Sequence, residues 1–187
     1  MAETAENTVA TICAGFGHER TRLLDVLQAV QRQLGQVDTA TVDAIAAELA
    51  MPRVDVAGVF SFYSFLTARP QGRVVIRLCD DVPDRMLGAD QVGAGLEEEL
   101  GVRFGETTPD GRITLEWTAC IGMCDQAPAA LVNDVPVTDL SADIARTGAQ
   151  KLKDHMDPQR LVRRYGDGNN SHDLVRVAVN NHLRHPG

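Results

Sequence analysis

The run Cys120-Ile121-Gly122-Met123-Cys124 places two thiols in a short glycine-containing loop, where they can converge on one metal centre. Asp125-Gln126-Ala127-Pro128-Ala129 follows directly. Upstream, Cys79 closes the apolar run Val74-Val75-Ile76-Arg77-Leu78, which reads as a strand. Three of the four cysteines therefore stand where a strand gives way to a loop, and side chains from such junctions can meet outside a sheet edge. Thiolates are soft ligands, and three or four of them suit zinc or an iron–sulfur cluster. The competing reading is a small buried hydrophobe, the usual state of a free cysteine, and that is the expectation for Cys13, far away near the N-terminus.

The elements that must position these thiols follow from periodicity. Residues 1 to about 12 are small and polar and are expected to fray. From His18 to Leu34, Leu23, Leu27, Val30 and Leu34 recur at helical spacing, and Gly35 is a good stop. A second helix is predicted over Thr39 to Leu49, with Val42, Ile45 and Leu49 on one face. Pro52 suits the first turn of a third, which carries Val56, Val59, Phe60 and Tyr63. Phe62 and Tyr63 are expected in the core of this helical domain, residues 1–70. Pro70-Gln71-Gly72 reads as a turn and a domain boundary.

Beyond it, Arg73 to Cys79 is predicted as a strand and Asp80 to Arg85 as an acidic loop. A helix is expected over Gly88 to Leu100, with Val92, Leu96 and Leu100 inward and Gly101 as its stop. Glu97-Glu98-Glu99 reads as its solvated face. Arg112 to Thr118 alternates as a strand, and Ala130-Leu131-Val132 turns through Asn133-Asp134 into Val135-Pro136-Val137. Ser141 can cap one more helix reaching about residue 153. Strand, helix, strand, hairpin is a thioredoxin-like α/β order over residues 71–153.

The composition excludes several classes. A net charge of −8 argues against non-specific nucleic-acid binding, which needs clustered cations. At 4% aromatic residues, a base-stacking surface is not expected. No apolar run approaches the roughly 20 residues of a membrane span, so no direct membrane insertion is expected. Met1-Ala2-Glu3-Thr4-Ala5-Glu6 carries acid where a signal peptide carries cations, and few unevenly spaced cysteines fit a reducing cytoplasm. There is no Ser/His/Asp set, no glycine-rich dinucleotide fingerprint after a strand, and no C-x-x-C, so no catalytic residue is assigned and the chain alone is not expected to catalyse. The five histidines read as solvated side chains.

Residues 18 to 145 resemble the small thioredoxin-like [2Fe-2S] subunit of the NADH-oxidising arm of respiratory complex I. The same module serves as the small diaphorase subunit of NAD-linked hydrogenases and formate dehydrogenases. The resemblance rests on Phe62-Tyr63, on Pro70-x-Gly72 before the strand ending at Cys79, and on Gly105-Glu106-Thr107-Thr108-Pro109-Asp110-Gly111. It rests also on Cys120-x-Gly122-x-Cys124, Ala127-Pro128-Ala129 and Val132-Asn133. The family's ligand pattern is C-x4-C, a gap, then C-x3-C. Cys79, Cys120 and Cys124 fit it, and Asp84 stands where the second cysteine would be. The resemblance then implies one [2Fe-2S] cluster, with Cys79 and Asp84 on one iron and Cys120 and Cys124 on the other. Asp80 and Asp81 are further carboxylates nearby whose spacing fits less well. A carboxylate is a harder donor than a thiolate and favours the ferric state, so a lowered reduction potential is expected.

By the same resemblance the chain is an accessory electron-transfer subunit of an NAD(P)-dependent oxidoreductase. FMN and NAD(P) belong to a partner flavoprotein, beside further iron–sulfur subunits. The alternatives are a structural or assembly subunit of that complex with an incomplete or empty site, and a zinc-stabilised binding module. Residues 154–187 extend past the family core and concentrate Arg and His: His155, Arg160, Arg163, Arg164, His172, Arg176, His182, Arg184 and His185. Gly166-x-Gly168 follows no strand and reads as a linker. From about Asp157 onward this extension is expected to order on the flavoprotein partner.

Overall fold

The computed structural model describes residues 2–161. It contains two compact units, and the division falls between Gln71 and Gly72.

The first unit is helical: α1 (Ala2–Gly15), a 3-10 turn at Arg20–Arg22, α2 (Leu23–Leu34), α3 (Thr39–Glu48) and α4 (Arg53–Phe62). α1 replaces the frayed segment expected from the sequence. Val9, Ile12, Cys13 and Phe16 follow helical spacing, and α1 packs on α2 and α3, with Val9 and Cys13 buried. The small polar residues ahead of that stripe mask it in the sequence. α2 ends as expected on Gly35, whose φ of 76° lets its N–H return to Gln31 O at 2.7 Å. Asp38 caps α3 by accepting from Thr41 N at 2.9 Å. Leu23, Val26, Leu27, Val30, Ile45, Leu49 and Val56 form the core with α1. Phe62 and Tyr63 do not join it. α4 stops at Phe62, Tyr63 turns extended, and the two residues are 80% and 41% exposed. Phe62 is the last residue of α4 and Tyr63 the first beyond it, so both stand at the end of the helix rather than within its packed face.

The second unit is a mixed sheet with helices. Its strands are β1 (Val74–Cys79), β2 (Glu106–Thr107), β3 (Ile113–Thr118), β4 (Ala130–Val132) and β5 (Val135–Val137), in the order β2-β3-β1-β4-β5. β1 runs parallel to β3, with Val74 beside Ile113, Ile76 beside Leu115 and Cys79 beside Thr118. β4 pairs antiparallel with β1 and turns into β5. The parallel pair requires a crossover, supplied by α5 (Val82–Met86) and α6 (Ala89–Leu100). Val74, Ile76, Leu78, Ile113 and Leu115 meet Val92, Leu96 and Leu100 of α6 in the core.

α7 (Ala142–His155) packs on α6, and Ser141 caps it by accepting from Ile144 N at 3.3 Å. The Glu97-Glu98-Glu99 run is not simply solvated. Glu98 pairs with Arg146 at 2.9 Å, Glu99 pairs with Lys153 at 2.9 Å, and Glu97 accepts from Phe104 N at 3.1 Å. A 3-10 turn at Pro158–Leu161 follows α7, and Leu161 is buried in the same core. The part of the expected docking extension up to Leu161 is therefore part of this fold. The rest of that expectation, and the Gly166-x-Gly168 loop, lie outside the described residues. Among the described residues no helix is long and apolar enough to cross a membrane.

Candidate metal centre

The parallel register of β1 and β3 decides where the thiols meet. Cys79 and Thr118 lie side by side at the carboxyl ends of adjacent strands, so the chain leaves both strands at one end of the sheet. Asp80 N donates to Thr118 O at 3.0 Å, and Cys79 N donates to Ala129 O at 3.0 Å. The segments after β1, after β3 and before β4 are thereby tied together around Cys79.

In the segment after β3, Gly122 takes a φ of 83°, which allows the chain to double back within the loop. Cys124 then opens a short 3-10 turn, Cys124–Gln126, and the Cys120 and Cys124 sulfurs come within 3.2 Å. Two thiolates on one tetrahedral metal, at about 2.3 Å each, lie about 3.8 Å apart, so an opening of about half an ångström fits this pair to one ion. Both cysteines are exposed. Hydrogen bonding with Cys120 is the main influence raising the Cys124 pKa, and Cys120, Asp81 and Asp84 add negative charge near it.

The segment after β1 is not the acidic loop read from the sequence. It is the five-residue helix α5, too short to show a period. Asp81 caps it, accepting from Val82 N at 2.9 Å, and Pro83 sits in its first turn. Arg85 anchors it from the outside: its side chain donates to Asp80 O at 3.0 Å, pairs with Asp90 at 2.8 Å, and lies 5.3 Å over the Trp117 ring of β3. Asp84 therefore points inward from a helical turn, with 1% exposure, and its Oδ1 accepts from Ala129 N at 2.9 Å.

Cys79 is buried, and burial is the main reason its thiol pKa rises to about 11. The N–H groups of Asp81 and Ile121 point at its sulfur and oppose that rise, while a hydrogen bond to Asp84 and the Asp84 charge reinforce it. Ile121 belongs to the Cys120–Cys124 loop, so this contact joins the two thiol-bearing segments. Among the described residues no cationic side chain pairs with Asp84. A buried carboxylate and a buried thiol are thus side by side.

The structure brings all four sequence-derived candidates, Cys79, Asp84, Cys120 and Cys124, into one neighbourhood. Cys13 is elsewhere, in the helical core, as expected. Asp81, whose spacing fits less well, also comes near the thiol pair. Its carboxylate and the Cys120 and Cys124 sulfurs lie within 4.8 Å of one another. The Asp81-Val82-Pro83 cap-and-proline start was the available signal. Asp80 is drawn off to Arg85, at 3.5 Å. Three sulfurs and a buried carboxylate at one sheet end form a donor set that suits a [2Fe-2S] cluster.

The family described as thioredoxin-like [2Fe-2S] ferredoxin matches residues 9–153. A subunit of the NADH-quinone oxidoreductase of Pseudomonas aeruginosa is 34% identical over 152 residues, covering 81% of this chain and 89% of that one. Its Escherichia coli namesake is 41% identical over 115 residues, covering 62% and 69%. The alpha subunit of the NAD-reducing hydrogenase HoxS of Cupriavidus necator is 32% identical over 182 residues, 97% of this chain, and the chain spans 30% of that longer protein. Among solved structures, an NAD+-reducing [NiFe]-hydrogenase in the air-oxidised state aligns with a TM-score of 0.62 at 28% identity, covering 72% of this chain and 24% of that one.

Proposed function

Because the chain belongs to the thioredoxin-like [2Fe-2S] ferredoxin family, we propose that it is an accessory electron-transfer subunit of a multi-subunit NAD(P)-linked oxidoreductase. It docks on an FMN-bearing flavoprotein subunit that handles NAD(P), beside further iron–sulfur subunits. The observation that carries this reading is the convergence of Cys79 and Asp84 with the Cys120–Cys124 pair at one end of the sheet. A [2Fe-2S] cluster bound there would accept one electron and pass it on.

This chain's residues have distinct parts in that task. Cys120 and Cys124 would hold one iron through their two exposed sulfurs. Cys79 and Asp84 would hold the other through a sulfur and a carboxylate oxygen, from a position shielded from water. The Asp81 and Ile121 N–H groups donate toward the Cys79 sulfur and favour its anionic form, which ligation requires. The Ala129 N–H holds Asp84 Oδ1 in place. The exposed thiol end faces outward, toward where a partner's cofactor must come.

The domain assignment belongs to the same proposal: a helical domain before residue 71, the iron–sulfur domain after it, and a C-terminal segment that docks on the partner. Four free thiols suit a reducing compartment, and we place the protein in the cytoplasm.

Iron and acid-labile sulfide analysis of protein prepared without oxygen tests the reading. About two irons and two sulfides per chain are expected, with visible absorption. Stoichiometric zinc without sulfide would overturn it.

A further inference from the structure

Asp81 stands apart from the four proposed cluster ligands, and its placement is specific. It is partly buried, its backbone N–H points at the Cys79 sulfur, and its carboxylate caps α5 through Val82 N. One carboxylate oxygen therefore faces the Cys120–Cys124 pair, with all three donor atoms inside 4.8 Å. In a four-coordinate site with metal–oxygen and metal–sulfur bonds of about 2.0–2.3 Å, donors lie about 3.3–3.8 Å apart, and two sulfurs at 3.2 Å with a carboxylate oxygen within 4.8 Å of both are near that spacing. The cap holds the oxygen on a helix terminus and the loop holds both sulfurs, so the site is nearly formed without the ion.

We propose that Asp81, Cys120 and Cys124 form a mononuclear site for a borderline divalent cation, ferrous iron or zinc, with water in the fourth position. One hard and two soft donors match that class better than calcium or magnesium, which take oxygen alone. The site needs neither Cys79 nor Asp84. Those two are buried, whereas Cys120 and Cys124 are exposed and Asp81 is partly buried. The exposed pair with Asp81 is therefore the place a single cation reaches first. The proposal shares Cys120 and Cys124 with the cluster reading and does not rest on it.

The test is cobalt(II) titration of the full-length chain after removal of bound metal, followed by the thiolate-to-cobalt charge-transfer absorption. One cobalt per chain is expected. Asp81→Asn keeps an acceptor for Val82 N, so the cap survives and folding is not the variable. It should weaken cobalt binding about tenfold or more, whereas Asp84→Asn and Cys79→Ser should leave it within about threefold. Equal affinity in wild type and Asp81→Asn would overturn the proposal, as would a loss in Cys79→Ser as large as that in Asp81→Asn. Iron and sulfide in the intact protein are measured alongside. A normal cluster without Asp81-dependent cobalt binding sinks this inference alone. Asp81-dependent cobalt binding without any sulfide sinks the cluster reading and leaves this site standing.

Discussion

Replacing Asp84 separates what this residue does for the fold from what it does for a metal. Its Oδ1 satisfies the Ala129 N–H at 2.9 Å, and the carboxyl is 1% exposed. Asp84→Ala leaves a buried donor without a partner, which costs about 1–3 kcal/mol. For a unit of about 90 residues that corresponds to a fall in Tm of about 5–20 °C. Asp84→Asn keeps an oxygen for Ala129 N, so the metal-free chain should lose less than about 1 kcal/mol. The metal-bound state should rank the variants differently. Asn and Ala both lose the anionic donor, so both should lose iron and sulfide, whereas Asp84→Cys should retain the cluster. The Cys variant should also have a higher midpoint potential, because a thiolate favours the ferric state less than a carboxylate does. The assays are chemical denaturation of the metal-free protein, iron and sulfide content, and redox titration. Full iron and sulfide in Asp84→Asn would refute ligation by Asp84. Wild-type stability of metal-free Asp84→Ala would refute the structural half of the reasoning.

Two further predictions concern the two cores. Burial, with a smaller contribution from Glu48, raises the Cys13 thiol to about 11 against an ordinary value of 9.0, so the folded helical unit keeps it protonated while the unfolded chain ionises it. The unfolded state binds fewer protons across that window, so stability is full below about pH 9 and falls toward pH 11, by on the order of 2–3 kcal/mol. Denaturation of Cys13→Ala against pH should show a correspondingly flatter alkaline decline, and an unchanged slope would contradict it. Leu161 is 8% exposed in the core of the second unit, so Leu161→Ala should cost about 2–4 kcal/mol by denaturation followed through Trp117, the only tryptophan. Truncation after Leu161 should leave that core intact and weaken co-purification with the flavoprotein; truncation from Asp157 should destabilise the chain itself.

Most of the architecture was legible in the sequence because it is written in local periods. Gly35 and Gly101 stop helices, Ser141 starts one, and the alternation of Ile113, Leu115 and Trp117 marks a strand regardless of its neighbours. Where the local signal was weak, the reading failed. α1 hides its stripe behind small polar residues, α5 is shorter than two turns, β2 has only two residues, and α4 ends at Phe62, short of the predicted Tyr63. The chemistry was partly legible too, since Cys79, Cys120 and Cys124 announce soft ligation by type and spacing. Their meeting was not, because a gap of about forty residues says nothing about distance until β1 and β3 pair in parallel and bring Cys79 beside Thr118. The same holds for the carboxylates. In the sequence Asp80, Asp81 and Asp84 are three acids close together. The folded chain gives one to Arg85, sets one beside two thiols, and buries one against a backbone N–H, because Asp80 precedes α5, Asp81 caps it and Asp84 lies within its turn.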